Sequence, residues 1–280
     1  MNEFSFERHG SELVNSKLAF YEKHKLTPTA DILKTVYSCI DLTSLSNADT
    51  EKSITALVES VNNHREKHPN VPNVAGICVY PNFVSLVKQK CTVPEVDIVS
   101  VAGGFPHAQT FQELKVKEVE MAYQAGADEI DVVINAGDVI SGNHEKAFDE
   151  LSAMKKAAKS AKLKVILETG IYQYDADIYD ASIIALKAGA NFIKTSTGKM
   201  EPAATPRAAV IMALALKDFQ NKTGKFAGLK VAGGIRTTEQ AVLYYQMVRD
   251  ITGLEQLDKY SFRIGATSLA KNVLSDLETL

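Results

Sequence analysis

The chain has 280 residues, of which 45% are hydrophobic and 23% charged, and this ordinary globular composition is sufficient for a large enzyme domain. The formal net charge of -3 provides no basic field for nucleic acid or anionic membranes, and no apolar run approaches the roughly 18 residues of a membrane span. The three cysteines, Cys39, Cys78 and Cys91, lack Cys-x-x-Cys spacing, so neither a disulfide framework nor a zinc site is indicated. With no signal pattern at the start, we expect a cytoplasmic protein that binds neither nucleic acid nor membranes.

Short β-branched runs alternate with longer segments of helical period along most of the chain. The predicted strands are Thr35–Ile40, Val74–Val79, Val96–Val101, Glu129–Ile134, Lys164–Leu167, Asn191–Lys194, Gly228–Val231 and Phe262–Gly265. The helices predicted between them include Gln112–Gln124, His144–Ser160, Asp177–Lys187, Thr205–Gln220 and Thr238–Thr252. This repeat of strand and helix predicts an α/β protein, a single (β/α)8 TIM barrel over residues 35–280. Residues 1–34 are predicted to form a short helical extension packed on the barrel.

Two lysines stand at the ends of predicted strands in apolar surroundings, Lys194 and Lys230. A lone strand-end lysine usually reaches solvent, but a buried lysine loses its hydration, so its pKa of roughly 10.4 falls and a neutral amine becomes available. The segment Ala122–Val133 resembles Ala185–Ser196 in spacing, and this repeat aligns Asp131 with Lys194 on equivalent strands. Two interior lysines facing an interior aspartate predict Schiff-base chemistry on a carbonyl substrate. The alternative is a structural ion-pair network.

Glycine-rich loops follow predicted strands six, seven and eight. They contain Thr197 and Gly198, then Gly233, Gly234 and Arg236, and finally Gly265, Thr267 and Ser268. Glycine permits close backbone approach, and the last two loops of such barrels often bind phosphate beside a helix N-terminus. Although a turn without a ligand is the more common meaning of one Gly-Gly pair, the two loops together predict a phosphorylated substrate.

At these residues the sequence resembles the deoxyribose-phosphate aldolases, a class I aldolase family with the barrel fold. The likeness runs through Ile40-Asp-Leu-Thr-Ser-Leu45, Gly76-Ile-Cys-Val-Tyr-Pro81, Phe105-Pro-His107, Ala125-Gly-Ala-Asp-Glu-Ile-Asp-Val-Val133, Leu167-Glu-Thr-Gly170, Phe192-Ile-Lys-Thr-Ser-Thr-Gly-Lys199, Lys230-Val-Ala-Gly-Gly-Ile-Arg236 and Arg263-Ile-Gly-Ala-Thr-Ser268. A Lys-Thr-Ser-Thr-Gly segment followed one β/α unit later by Lys-x-Ala-Gly-Gly is a specific pair. The resemblance covers most of the chain after residue 35.

The resemblance implies reversible cleavage of 2-deoxy-D-ribose 5-phosphate into acetaldehyde and D-glyceraldehyde 3-phosphate. The substrates would be small phosphorylated sugars and aldehydes, with neither a metal nor an organic cofactor. By the family pattern, Lys194 would be the nucleophile, Lys230 the neighbour that lowers its pKa, and Asp131 the acid/base partner. The assembly that the resemblance suggests is a homodimer.

The remaining candidate residues follow the first two predicted strands. Asp41 and Thr43 are expected to orient sugar hydroxyls, whereas Cys78 is expected to line the pocket mainly by packing. The chain departs from the family pattern at Val231, where many relatives have proline, and at Thr267, where serine is common. Threonine keeps the hydroxyl, but its methyl group crowds the phosphate, so we expect an effect on affinity more than on turnover.

Three other functions stay open from the sequence. Another Schiff-base sugar-phosphate aldolase or a transaldolase would keep Lys194 but act on a ketose, and substrate profiling would separate it. A metal-dependent aldolase would need clustered ligands, whereas the histidines show neither His-x-His nor His-Glu-x-x-His spacing. A non-catalytic sugar-phosphate-binding barrel would bind without turnover. The joint presence of Asp131, Lys194 and Lys230 favours an aldolase.

Overall fold

The computed structural model describes residues 6–280, in which eight parallel strands close into a barrel. The strands are β1 (Ile40–Thr43), β2 (Gly76–Val79), β3 (Asp97–Ala102), β4 (Glu129–Val133), β5 (Lys162–Ile166), β6 (Phe192–Lys194), β7 (Gly228–Ala232) and β8 (Phe262–Ala266). Each strand pairs with the next in sequence, and β8 pairs with β1. The predicted TIM barrel is confirmed.

Helices surround the barrel because one face of each is apolar and packs against the strands or a neighbouring helix. Those described in residues 6–280 are α1 (Ser11–Lys23), α2 (Ala30–Ser38), α3 (Glu51–Asn62), α4 (His64–Lys67), α5 (Val84–Lys90), α6 (Gln112–Gln124), α7 (Ala136–Ile140), α8 (His144–Ala157), α9 (Asp175–Lys187), α10 (Pro206–Thr223), α11 (Thr238–Thr252) and α12 (Leu269–Leu277). None of the helices in this part of the chain is both long enough and apolar enough to cross a membrane.

The first predicted strand is wrong for most of its length. The predicted Thr35–Ile40 lies largely in α2, and β1 begins only at Ile40. The side chain of Thr29 caps α2 by accepting a hydrogen bond from the Ile32 N–H, and the helix buries Leu33, Val36 and Tyr37. Val36, from the run predicted as a strand, therefore lies on the buried face of a helix together with Leu33 and Tyr37. The other seven predicted strands agree with the structure to within two residues at each end.

The N-terminal segment packs on the outer helices of the barrel. The helix α1 contacts α10, and Arg207 at the start of α10 donates a hydrogen bond to Asn15. Arg8 forms an ion pair with Asp180 on α9. Residues 1–5, the start of the predicted extension, lie outside the described residues, and the predicted boundary at residue 35 falls within α2. Contacts with α9 and α10 therefore hold the described part of the N-terminal segment against the outer helices of the barrel.

Candidate active site

Seven charged side chains meet inside the barrel, and we refer to them as the charged cluster. They come from β1, β4, β5, β6, β7 and β8, and they are Asp41, Glu129, Asp131, Lys164, Lys194, Lys230 and Arg263. All are fully buried except Lys194, which is 3% exposed. An isolated buried charge costs several kcal/mol, so such groups persist only when they are paired and hydrogen-bonded.

Asp131 lies at the centre of the charged cluster and accepts hydrogen bonds from three lysines. Lys194 Nζ is 2.9 Å from Asp131 Oδ2, and Lys230 Nζ is 2.8 Å from the same oxygen. Lys164 Nζ is 3.0 Å from Asp131 Oδ1. The strand register explains this arrangement, because Asp131 lies beside Lys164 across β4 and β5, and Lys194 lies beside Lys230 across β6 and β7.

A second layer of the charged cluster lies around Asp41. Lys230 Nζ donates to Asp41 Oδ2 at 2.5 Å, and Arg263 Nη1 donates to the other oxygen. Arg263 Nη2 also donates to Glu129 Oε1 at 2.8 Å, and Glu129 Oε2 is 2.5 Å from Lys164 Nζ. Lys164 Nζ lies 3.4 Å from Asp41 Oδ2 as well, so the Asp41 carboxylate faces three cations in the interior, where it holds Lys230.

The charges of the cluster do not balance when every group is ionised. The cluster itself contains three carboxylates and four basic groups, and Arg263 Nη2 also donates to Asp97 at the edge of the cluster, at 2.9 Å. Burial lowers the pKa of Lys194, and the Lys230 cation lowers it further against the opposing effect of Asp131. Burial would also lower the pKa of Lys230, but Asp131 and Asp41 outweigh it and raise that pKa above its usual value. Of these two lysines, Lys194 is therefore the one that more readily gives up its proton.

The three carboxylates remain ionised at neutral pH. Burial alone would raise the pKa of Asp131, but the adjacent ammonium groups of Lys164 and Lys230 hold that pKa well below its usual range. Burial would also raise the pKa of Glu129, but the nearby cations Lys164 and Arg263 lower that pKa to about 2. The interior is therefore a set of fixed charges around Lys194, the one lysine of the cluster whose pKa is lowered.

A cleft of about 370 Å³ opens above the charged cluster at the carboxyl ends of the strands. Among the described residues it is lined by Thr43, Leu45, Lys194, Thr197, Gly198, Lys199, Ala232, Gly233, Gly234, Ile235, Arg236, Gly265, Ala266, Thr267 and Ser268. Within this set, Lys194 is the member that also belongs to the charged cluster. A ligand in the cleft thus meets the Lys194 amine, while the other charged side chains of the cluster lie below.

One side of the cleft presents backbone donors. Gly233 and Gly234 have left-handed φ values of 88° and 77°, and Ser268 immediately precedes α12. In residues 6–280, the N–H groups of Gly234, Ile235 and Ser268 donate to no protein acceptor. Arg236 adds a cation to this side of the cleft. Such donors beside a helix N-terminus form a general anion-binding arrangement.

The family model described as DeoC/LacD family aldolase matches residues 35–265. The chain belongs to this family. It is 40% identical over 260 residues to the deoxyribose-phosphate aldolase of Homo sapiens, covering 88% of this chain and 79% of the relative. The Mus musculus enzyme of the same name is 39% identical with the same coverage of both chains. The solved deoxyribose phosphate aldolase of Aeropyrum pernix is 26% identical with a TM-score of 0.69, covering 97% of this chain and 99% of that one.

Two residues of this DeoC/LacD family aldolase were missed from the sequence. Lys164 is the first residue of the predicted strand five, and it was not recognised as an interior residue. Strand alternation puts its side chain on the same face as that of Ile166, which is buried. Lys199 follows Gly198 in the resemblance segment, and its Nζ donates to the carbonyl oxygen of Leu45 across the cleft. The signal for both was a lysine within an otherwise small or apolar segment.

The structure distributes the other predicted residues of this aldolase between the cleft and the interior. Thr43 and Thr267 both line the cleft, where Thr267 Oγ1 donates to the Thr43 carbonyl at 2.7 Å. Cys78 lies in a buried apolar cluster with Val99 and Val101 and is not among the residues that line the cleft. Burial raises the pKa of the Cys78 thiol, so it is a neutral packing group there.

Gly233→Ala tests the packing of the glycine loop in this aldolase. A Cβ at Gly233 would lie 2.5 Å from Ala203 Cβ, whereas a Cβ at Gly234 would meet no atom within 4 Å. Because both glycines have positive φ, Gly234→Ala is a matched control for backbone strain. We expect Gly233→Ala to lower the free energy of unfolding by about 1–3 kcal/mol more than Gly234→Ala in urea unfolding. Equal losses in the two variants would contradict the overpacking argument.

Proposed function

We propose that the protein reversibly cleaves 2-deoxy-D-ribose 5-phosphate into acetaldehyde and D-glyceraldehyde 3-phosphate through an imine on Lys194. The observation that carries the proposal is the position of Lys194, which alone of the charged cluster borders the cleft and whose pKa is lowered by burial and by Lys230. Membership of the DeoC/LacD aldolase family and relatives named deoxyribose-phosphate aldolases support the choice of substrate.

The reaction begins with attack of the Lys194 amine on the C1 aldehyde of the open-chain sugar. The resulting carbinolamine loses water and becomes a protonated imine. When the C2–C3 bond breaks, its electron pair moves into the imine and the C3 hydroxyl loses its proton, which releases D-glyceraldehyde 3-phosphate. The enamine that remains takes up a proton at C2, and hydrolysis then frees acetaldehyde and the amine. The imine supplies the electron sink, so the mechanism requires neither a metal nor an organic cofactor.

Asp131 would stabilise the positive charge that appears on Lys194 when the imine forms. In the resting enzyme the Lys194 amine is already 2.9 Å from Asp131 Oδ2, so little reorganisation is needed. Because neighbouring cations keep Asp131 ionised, we assign it the role of orienting a water that carries the protons. Lys230, held by Asp41 and Asp131, supplies the fixed positive charge that keeps Lys194 neutral.

The glycine side of the cleft would hold the substrate phosphate. The unpaired N–H groups of Gly234, Ile235 and Ser268 are donors for phosphate oxygens, and Arg236 and Lys199 line the same cleft. Thr43 would contact a sugar hydroxyl between this side and Lys194. The phosphate and the reacting aldehyde would thus bind at opposite ends of one cleft.

Borohydride trapping tests the proposal directly. The enzyme is incubated with acetaldehyde and sodium borohydride, digested and mapped by mass spectrometry. We expect N-ethyl-lysine at position 194 and loss of activity, with no modification when borohydride is added alone. An adduct on Lys230 would exchange the roles of the two lysines, and no adduct at any lysine would overturn the imine mechanism. Parallel assays with ketose phosphates distinguish this activity from that of a transaldolase.

We also propose that the chain is organised as a barrel unit, residues 35–280, with an extension, residues 1–34, and that it assembles as a homodimer. The ion pair between Arg8 and Asp180 supports docking of the extension. Exposed apolar side chains along α6, at Leu114 and Met121, support self-association, as does the description of the Aeropyrum pernix enzyme as tetrameric. Size-exclusion chromatography with light scattering measures the assembly.

A further inference from the structure

Glu168 has an unusual backbone and an unusual environment. Glu168 lies two residues after the end of β5. Its φ of 56° and ψ of 57° are in the left-handed region, which residues with a side chain rarely adopt. Its carboxylate is buried, yet among residues 6–280 no lysine, arginine or histidine forms an ion pair with it. Such conformations persist only where the surroundings enforce them, and they concentrate at functional sites.

The carboxylate of Glu168 is bound to the loop that follows β6. Thr197 N donates to Glu168 Oε1 at 3.2 Å, and Thr197 Oγ1 donates to Oε2 at 2.5 Å. The same hydroxyl accepts a hydrogen bond from Lys199 N at 3.1 Å. The hydroxyl proton of Thr197 is thus committed to Glu168, and the oxygen closes the turn that carries Gly198 and Lys199 along the cleft.

The two loops are also in close backbone contact beyond these bonds. Thr169 N donates to the Thr195 carbonyl oxygen at 2.9 Å. A Cβ on Gly170 would lie only 1.9 Å from the carbonyl oxygen of Pro202, so this position requires glycine. Together these contacts fix the loop after β6 against the loop after β5 at the point where the cleft opens.

A contact that only joined the two loops would not require a carboxylate at this position. A buried carboxylate without a cation beside it is costly unless its oxygens are hydrogen-bonded. Here both oxygens accept hydrogen bonds from one residue, and Glu168 does not itself line the cleft. Two hydrogen bonds fix both the position and the orientation of Thr197, which suits a residue that must hold a turn in place.

We propose that Glu168 is a positioning residue that fixes the turn Thr197–Lys199 through Thr197 and thereby sets the affinity of the cleft for the phosphate end of the substrate. The inference rests on the proposed function for the identity of that substrate. Glu168 touches neither the substrate nor the reacting atoms. Its effect passes through the position of Lys199, which lines the cleft and reaches Leu45 on the other side.

The test compares Glu168→Gln, Thr197→Val and the double variant. A matched control is Glu201→Gln, because Glu201 lies in the same loop and its carboxylate also accepts a backbone N–H, that of Ala203, but it is exposed. For each protein, kcat and KM are measured with 2-deoxyribose 5-phosphate and with unphosphorylated 2-deoxyribose. Inhibition by inorganic phosphate is measured in the same series, with acetaldehyde imine trapping as a readout that does not depend on cleavage of the sugar phosphate.

We expect Glu168→Gln to raise KM for the phosphorylated substrate roughly tenfold and to weaken inhibition by inorganic phosphate to a similar extent. The kcat and the rate of imine trapping should stay within about twofold of wild type, as should kcat/KM for 2-deoxyribose. Thr197→Val should reproduce the effect. The double variant should be no worse than either single variant, because both remove the same interaction, and Glu201→Gln should resemble wild type.

Equal losses on both substrates with unchanged phosphate inhibition would overturn the proposal, as would wild-type behaviour of both single variants. If Glu168→Gln fails to fold, as seen by circular dichroism, Glu168→Asp, which keeps the carboxylate but shortens its reach toward Thr197, decides the question by the same measurements. If wild type does not cleave 2-deoxyribose 5-phosphate, the proposed function fails, but the comparison of inorganic phosphate binding between wild type and the variants still tests the role of Glu168.

Discussion

Lys194→Met is expected to reduce kcat/KM for cleavage of 2-deoxyribose 5-phosphate by about 10⁴-fold or more, because it removes the proposed nucleophile. The fold should not suffer. Lys194 is the basic group that the three carboxylates of the charged cluster leave uncompensated, so its loss leaves a balanced interior. We expect the free energy of unfolding to change by less than about 1 kcal/mol, as measured in urea with the activity assayed on the same preparation.

Lys115→Met is the matched control for this variant. Lys115 is also a fully buried lysine, but it pairs with Glu150 at 2.8 Å between α6 and α8, away from the cleft. Its removal leaves a buried carboxylate without its partner, which should cost about 3–5 kcal/mol of stability while kcat/KM at moderate temperature is retained. Loss of both stability and activity in Lys194→Met, or substantial residual activity, would contradict the assignment of the nucleophile.

Lys164→Met is expected to have the second largest effect, although Lys164 does not line the cleft. Its ammonium group contacts Asp131 and Glu129 and lies 3.4 Å from Asp41 Oδ2, and these carboxylates raise its pKa well above the usual value. Without it, three carboxylates face only two permanent cations, and a proton on Lys194 restores the balance. The pKa of Lys194 should therefore rise.

The direction of the pH effect follows from the form that reacts. The neutral amine predominates above the pKa of Lys194, so a higher pKa moves the acid limb of the kcat/KM profile to higher pH. We expect Lys164→Met to lose about 100-fold in activity near pH 7 and to regain much of it as the pH is raised. The profile of kcat/KM between neutral and alkaline pH, measured beside the rate of imine trapping, checks this expectation.

Lys162→Met is the control for Lys164→Met. Lys162 lies two residues earlier on β5 and pairs with Glu129 at 2.9 Å, but its side chain is 31% exposed. Because solvent screens the charge of Lys162, its removal should leave the acid limb of the kcat/KM profile almost unchanged. A uniform loss of activity at every pH in Lys164→Met would mean that the substitution distorts the site and does not change the protonation of Lys194.

Much of the fold was predictable from the sequence because barrel strands and helices carry local periodic signals. The eight-fold alternation of β-branched runs with helical segments was sufficient for the architecture, and glycines after β7 and β8 marked the loops that border the cleft. The error at Thr35–Ile40 has a local cause. A β-branched run fits either a strand or one face of a helix, and only packing against neighbouring helices decides between them.

Local sequence patterns were enough to predict the barrel, the strand-end lysines and the glycine loops, because each depends on residues close together in the chain. The difference between the two lysines required the folded structure: burial and Lys230 lower the pKa of Lys194, whereas Asp131 and Asp41 raise that of Lys230, and these charges come together from distant strands. Lys230 and Asp41 are 189 residues apart in sequence, yet they share a hydrogen bond in the interior. The contact between Glu168 and Thr197 likewise exists only because β5 and β6 are neighbours in the closed sheet. Burial and the sum of nearby charges fix a pKa, and neither is a property of a local segment.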